Sequence, residues 1–571
     1  MKKRVIALFL ALAMVATLLA ACGNNNNNVY IPPATSDGTN NGNNNNNGKP
    51  QEDFDGVLKV GIPQSASISD FKENDFTKWV EEQLGFELEF VYYSANGSEA
   101  CQQFALDCAA ENYDEMPDVV WGFQEMSNYT LGDLGEDGYI LDLTPYLTEE
   151  YFPNYFEALA DIPENDKKAA MEKGVNPDDG GYYGMPLIAL EHVDNLGNMM
   201  FINQDWLDNL NLDMPTTVDE LYTVLRAFKD SDPNGNGRAD EIPMLGSSSN
   251  GGGLTQYLMN AYIYWDAANI YNVTDYGVVY SPIVQDAYRE GLKYINKLYE
   301  EGLIGEMSYS GASYTDFVNM NTPHDQVAKV GIWMGHPSVY TDANTTILDQ
   351  YAALPYLQDA GTGLGGNTVY RETTIKYCSW ILAHVGGEPE ETAAMRFLDL
   401  MYTDEAMTRM RYGEKGIYWD YGEEGLNIKG EPTTIHIYDD SALYGGDSTW
   451  GRNGNCIMTD ANYTGVAGLQ YAGTRAYEIE RLTTELWENV YLDGNLPAEK
   501  TENLIYNSEE FEIREDLHSR YWSYYSEAIT RFITGRNDIN DDAAWNAYKT
   551  ELESLGRHQL EAVVQSAYNR K

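Results

Sequence analysis

The stretch from residue 57 to residue 122 reads as an α/β fold with a largely parallel sheet. Three observations predict it. Val57 to Ile62 (VLKVGI) is a short β-like run, and Phe86 to Tyr93 alternates as a second strand. Between them, Asn74 to Leu84 puts Phe76, Trp79, Val80 and Leu84 on one helical face. A second helix-like stretch, CQQFALDC, then leads to the apolar strand Pro117 to Trp121, completing a β-α-β-α-β order.

The later elements follow in turn. Gly184-Met185-Pro186 opens a stretch reaching Trp206. Thr217 after Pro215, with Glu220 three residues on, reads as a capping box. Ser281 to Glu301 predicts a long helix, with Leu292, Ile295, Leu298 and Tyr299 at helical spacing and Gly302 as its stop. Lys329 to Trp333 reads as a strand. Helices are predicted at Pro389 to Tyr402, Thr483 to Val490, Asp516 to Phe532 and, as the last, Asp542 to Arg570. No tandem repeat is present.

At the N-terminus, Lys2, Lys3 and Arg4 precede an almost wholly apolar run from Val5 to Ala21, which suits a signal peptide rather than a spanning helix. The run ends Leu19-Ala20-Ala21-Cys22-Gly23, which resembles a bacterial lipobox, with Cys22 as the residue to be lipidated. Two five-residue Asn runs follow before Gly56. Such a segment has almost nothing apolar to bury and cannot offset its ordering entropy. It reads as a tether of flexible residues, reaching on the order of 30 Å. The domain is therefore expected outside the cell, anchored by lipid on the outer face of the bacterial cytoplasmic membrane.

Composition excludes several classes. The formal net charge is -53, which repels phosphate backbones, so nucleic acid is a poor partner. Apart from Cys22, the cysteines are Cys101, Cys108, Cys378 and Cys456, without CxxC or Cys/His metal spacing. Cys101 and Cys108 fall in one predicted helix, about 10 Å apart at helical rise, too far for a bridge unless the helix breaks. No GxSxG, HExxH or Walker A motif occurs.

Several stretches together resemble the family 1 extracellular solute-binding proteins of ABC importers, in the lipoprotein branch with alginate- and oligosaccharide-binding members. They are PDVVWG at 117–122, GYILDLTPYL at 138–147, YGMPLIALEHVDNLGNMMFINQDWL at 183–207, MPTTVDELYTVLRAFKDSDPNGNGRADEIPM at 214–244, YREGLKYINKLYEEGLI at 288–304 and RFITGRNDINDDAAWNAY at 531–548. The resemblance implies a two-lobe, periplasmic-binding-protein-like fold with crossover hinge strands and a helix-rich C-terminal part. It divides the chain into a signal peptide at 1–21, lipidated Cys and tether at 22–56, and the first part of lobe 1 at 57–186. Residues 187–327 are then the first part of lobe 2, 328–383 a return to lobe 1, and 384–571 the second part of lobe 2 with C-terminal helices. It also implies a monomer that delivers a solute, an oligosaccharide above all, to ABC permease subunits.

Within 230–241, oxygen side chains alternate around glycines as in loops that wrap a hard cation. Counted from Asp232, the ligands are Asp232, Asn234, Asn236, the Arg238 carbonyl, Asp240 and Glu241, the register that matches the family's loop and implies structural calcium. Counted from Asp230, the full EF-hand pattern is met, with Gly235 sixth and Glu241 last. A solvated Asn/Gly turn without metal is the plainer alternative.

The chain holds 44 Tyr, 16 Phe and 11 Trp, and most of these rings must be core. Candidate ligand contacts are those at predicted strand ends or crossovers: Trp121, Glu191, His192, Trp265, Trp333, His336 and Trp419, with Trp450 in a Gly-rich loop. The competing readings are a secreted lipoprotein enzyme acting on polysaccharide, and a binder of peptides or other polar solutes.

Overall fold

A computed structural model describes residues 54–570 apart from 55, 114, 191–198, 247–250, 268–269, 312–313, 341–343, 360, 368–373, 385–386, 427–431, 438–445, 451–453, 455, 459–465, 468–474, 492–493, 498–499 and 502–503. Strand β1 (Val57–Pro63) leads to helix α1 (Asp75–Leu84), whose first turn is capped by the Asn74 side chain accepting from Phe76 N. Gly85, at φ 80°, ends the helix. Strand β2 (Glu87–Tyr93), helix α2 (Gly97–Ala110), strand β3 (Val119–Val120) and helix α3 (Asn128–Glu136) follow. Helices α4 (Pro153–Ala160) and α5 (Glu164–Lys173) precede β4 (Met185–Ala189), which is buried throughout.

The chain then builds a second unit from β5 (Met200–Asn203), α6 (Val218–Asp230), β6 (Ile242–Leu245), α7 (Asp286–Glu300), β7 (Val330–Met334) and β8 (Tyr351–Ala353). Both halves of the expected capping box at Thr217 and Glu220 are formed at the start of α6. Strand β9 (Thr374–Ile381), helix α8 (Glu388–Leu400) and strand β10 (Ile457–Met458) belong again to the first unit. Helices α9 (Arg475–Leu486), α10 (Ser508–Ile533), α11 (Asp542–Ser554) and α12 (Arg557–Tyr568) complete the second.

Two sheets organise the two lobes. The first runs β10-β4-β9-β3-β1-β2, and β9 alone is antiparallel to its neighbours. The second runs β8-β5-β7-β6, and β5 alone is antiparallel. Each sheet carries its own core. Lobe 1 buries Leu58, Val60, Phe104, Val119, Trp121, Trp380 and Phe397, and lobe 2 buries Phe201, Trp206, Phe228, Leu292, Trp333 and Phe532.

Four expectations are corrected. Val330–Met334 does not return to lobe 1: it pairs with β5 and β6, Trp333 opposite Phe201. The return is β9, and helix α8 with Met410, Trp450 and Ile457 packs on lobe 1 rather than lobe 2. A fully buried five-residue apolar strand carries no mark of which parallel sheet it enters. The last helix is two helices, broken at Gly556 with φ 99°. Helix α10 starts at Ser508, eight residues before the expected start at Asp516, behind a capping box of Asn507 and Glu510. Cys101 and Cys108 share the unbroken α2, and all four described cysteines are buried and free.

Candidate functional site

Strand register sets where the lobes meet. Val120 of β3 lies opposite Trp380 of β9, whereas Met185 of β4 lies opposite Ser379. β3 therefore ends at the level where β4 begins. β4 and the first half of β9 continue together past the ends of β3, joined by β10 at Ile188 and Ala189. In chain order, lobe 2 follows β4, and the chain returns to lobe 1 between Asn367, which still donates to the Asn260 carbonyl of lobe 2, and Thr374 of β9. In open α/β sheets, the carboxyl edge of the strands is where a ligand crevice forms.

A cavity of about 150 Å³ sits there, between the lobes. Lobe 1 contributes Tyr129 from the first turn of α3, Lys173 at the end of α5, Tyr183 just before β4 and Tyr377 of β9. Lobe 2 contributes Tyr506 and Phe511, at the start of α10. The rings of Tyr129 and Phe511 stack across the gap, 4.1 Å between centroids and 16° between planes. Beside them, Asp178 of lobe 1 accepts from the backbone N–H of Ser508 (3.0 Å) and from its hydroxyl. A carboxylate at the first turn of a 26-residue helix is favourably placed against its dipole. Arg570, just after α12, holds the other side of that turn. It donates to both Glu510 carboxylate oxygens and to the Ile505 carbonyl (2.9 Å), holding the Glu510 carboxyl below the usual range against the opposing effect of burial.

The polar groups on the walls are bonded to their neighbours. Tyr183 donates to Asp179, and Tyr377 donates to the Ala170 carbonyl at 2.6 Å. The Ser127 and Thr130 hydroxyls lie 2.8 Å apart, and Lys173 Nζ reaches the Ile375 carbonyl at 3.2 Å. Asp133, hydrogen-bonded by Tyr129, is pushed up to about 6, chiefly by burial, with Glu136, Asp137 and Asp178 adding to the rise. Aromatic faces from both lobes, edged by hydroxyl and amide groups, suit a ring that is apolar on its faces and polar at its rim.

The loop after α6 is a second ordered polar feature. Asp232 accepts from Asn236 N (3.0 Å) and Gly237 N (2.8 Å), and Asn234 Oδ1 also accepts from Asn236 N (3.0 Å). Asn236 donates to Asp240 at 2.9 Å, and Gly235 and Gly237 take φ of 69° and 75°. Both carboxylate oxygens of Glu241 are buried without a well-formed hydrogen bond. Burial, then Asp232 and Asp240, push its carboxyl up against the pull of the amides of Glu241 and Asp240. A buried carboxylate beside two others and two carboxamides fits a hard cation. Among the described residues, however, no group of three or more His, Cys, Asp or Glu side chains is gathered for a metal.

Residues 64–408 match the family described as Bacterial extracellular solute-binding protein. The chain belongs to that family. A fructooligosaccharide ABC transporter substrate-binding protein, FusA of Streptococcus pneumoniae, is 32% identical over 248 residues, 43% of this chain and 44% of the relative. Lipoprotein LipO of Bacillus subtilis is 29% identical over 292 residues, 49% of this chain and 52% of the relative. The chain thus spans about half the length of these curated relatives. The solved FusA–kestose complex superposes with TM-score 0.68 at 22% identity, covering 90% of this chain and 99% of that one. The alginate-binding protein AlgQ2, solved without calcium ion, superposes with TM-score 0.60 at 19% identity, covering 90% and 98%. These likenesses establish the two-lobe fold.

In this solute-binding protein the tryptophans singled out from the sequence are packed inside. Trp121, Trp265, Trp333 and Trp419 are each no more than 2% exposed. Trp121 packs on Phe397 and Trp450, and a Cβ on Gly454 would meet its ring at 2.0 Å. Trp333 sits among Phe201, Tyr340 and Tyr351, and Trp265 against Tyr288 and Tyr525. Trp419 donates to the Gly413 carbonyl at 2.9 Å in a small cluster with Tyr412. Trp450 is also core, donating to Thr77 Oγ1. Indoles supply so much apolar area that the cores take them. His336 is half-buried in the turn after β7 and does not line the cavity. Glu191 and His192, like Cys22, lie outside the described residues. Sequence reasoning missed Tyr129, Tyr183, Tyr377, Tyr506 and Phe511; the helix-start signal at Asn507 and Glu510 was the one cue to the last two.

Proposed function

We propose that this protein captures an oligosaccharide between its lobes outside the cell and hands it to the permease of an ABC importer. The observation that carries the reading is the interlobe cavity, whose aromatic walls come from both lobes. A solute touching both walls binds the closed arrangement better than the open one, and so shifts the population toward closure. The closed form is then the one the permease takes up. We read the chain as a binder and a monomer rather than an enzyme, held by lipid on Cys22 at the outer face of the cytoplasmic membrane; Lipoprotein LipO supports the anchor. Calcium fits the loop after α6: Asp232, Asn234, Asn236, the Arg238 carbonyl, Asp240 and Glu241 would hold it. Bound there, it supplies a fixed positive charge to a buried carboxylate, with a structural role.

The test is a thermal-shift screen of the mature protein over mono- and oligosaccharides, peptides and amino acids, followed by small-angle scattering with each hit. An oligosaccharide should raise Tm and compact the protein. A peptide hit without a saccharide hit would overturn the substrate class. Steady release of cleaved sugar would overturn the binder reading itself.

A further inference from the structure

The cavity also carries information about ligand charge. Of the described residues that line it, Lys173 alone is charged. Carboxylates stand one bond behind the wall: Asp133 behind Tyr129, Asp179 behind Tyr183, and Glu136 behind Asn176, whose amide reaches it at 3.4 Å. Asp178 adds a fourth at the lobe contact. Glu512 of lobe 2 acts on the same Tyr129 hydroxyl. The nearby cations are largely committed. Arg570 is paired with Glu510, Arg514 lies over the Tyr506 ring with Glu515 at 3.6 Å, and the Lys173 amine is turned to the Ile375 carbonyl. Lys173 keeps its charge against a neutral carbonyl, but Asp133, Glu136, Asp178, Asp179 and Glu512 outnumber it, so the field at the cavity is net negative; because all of these but Asp133 are exposed, it is felt most at low salt.

Resting on the saccharide reading above, we propose that the cavity selects neutral oligosaccharides and rejects uronate-rich ones. The wall gives hydroxyls what they need: tyrosine oxygens left as acceptors because their O–H groups are given to Asp133, Asp179 and a carbonyl, and donors on Ser and Asn. It offers a ligand carboxylate no uncommitted arginine fork and surrounds it with like charge. The acids behind the wall serve two ends at once. They orient the tyrosine hydroxyls, and they set the sign of the field.

A matched pair isolates charge from shape: oligogalacturonide and its methyl ester, of equal length, beside neutral oligosaccharides such as kestose. Calorimetry on the mature protein at low salt should show neutral sugars or the ester binding at least tenfold more tightly than the free acid. The gap should shrink at high salt, and in Asp133→Asn and Asp179→Asn, which keep an acceptor oxygen while removing the charge. Free acid binding as well as its ester would overturn the inference and leave saccharide capture standing. A gap that neither salt nor both variants reduce would also overturn it, since the carboxylates would not be its source. If no saccharide of either kind registers, the capture reading falls and this inference falls with it.

Discussion

The loop at 232–241 and the interlobe cavity are both polar sites set into apolar surroundings, but they hold their polar groups in opposite states. In the loop, Glu241 keeps two buried carboxylate oxygens that no well-aligned donor reaches. In the cavity, Tyr183, Tyr377 and Lys173 each already have a protein partner. A buried charge left without a partner is among the more costly features a fold can carry. A cation at the loop would give that carboxylate a partner and so become part of the structure. A ligand in the cavity would compete with these existing bonds and leave without exposing an unmet charge. Tight, permanent occupancy suits the first, and capture with release suits the second.

Removing the cation is the strongest way to break this contrast. A site filled at a thousandfold excess over Kd adds about 4 kcal/mol to apparent stability. Chelation should therefore lower Tm by several degrees in the wild type and not in the double variant Asp232→Ala with Glu241→Ala. Glu241→Gln sharpens the test by changing sign: less stable than wild type with calcium, more stable than wild type in chelator. A melt indifferent to chelator, with no calcium by elemental analysis, would leave the loop a bare turn and end the contrast.

Asp399 is the control, a buried carboxylate that the protein itself completes. It accepts from Tyr155 N (2.9 Å), Asn154 N (3.3 Å) and Asn154 Nδ2 (2.7 Å). It thereby caps α4, which has no side-chain cap of its own. Burial still pushes it up to about 6 despite those donors. A raised carboxyl binds its proton more tightly in the folded state. Its contribution is therefore fully present below about pH 4 and is lost as pH rises through about 6. Wild-type stability should fall between about pH 4 and pH 6.5 relative to Asp399→Asn, by up to about 3 kcal/mol, a two-unit shift at 1.4 each. Parallel melts across that range would show Asp399 to be unperturbed.

These residues also show what the sequence could and could not disclose. The loop was legible because ten consecutive residues make it, and glycine spacing with oxygen side chains is a local code. The capping box at Thr217 and Glu220 and the β-α order of lobe 1 were legible for the same reason. The cavity was not, because its walls arrive from residues 127–131, 173–184, 377 and 504–511. Nothing in a tyrosine's neighbours along the chain tells whether it faces a core or a gap. Tyr155 is buried, and Tyr183 lines the cavity. The burial of Trp121 and Trp333 was hidden for the same reason, since strand ends that approach a cleft also end in a core.

The contact across the cleft gives a third, smaller test. Offset or stacked aromatic pairs contribute about 1 kcal/mol beyond the area they bury. Phe511→Ala should therefore open the lobes on average without melting either, because the residue is not part of the lobe 2 core. Small-angle scattering of the ligand-free variant should show a larger radius of gyration, and affinity for a saccharide hit should fall severalfold. A drop in Tm of several degrees with unchanged dimensions would instead make the stack structural, like the loop.

The smallest expected effect is at Asp178, and it separates charge from contact. Its carboxylate accepts from Ser508 at the first turn of α10, across the lobe boundary. Asp178→Asn keeps an acceptor oxygen and loses only the charge facing the helix N-terminus. Such a charge is worth about 0.3–1 kcal/mol at an exposed site and is screened by salt. The variant should bind a neutral saccharide up to about fivefold more weakly at low salt, and like wild type at high salt. Asp178→Ala also removes the acceptor, so its deficit should persist in salt. Each lobe keeps its core in both variants, so Tm without ligand should stay within about a degree of wild type. If Asp178→Asn binds like wild type at low salt while Asp178→Ala does not, the hydrogen bond alone holds the lobes. The helix dipole then has no part in closure, and the cleft is closed by contacts a ligand can displace one at a time.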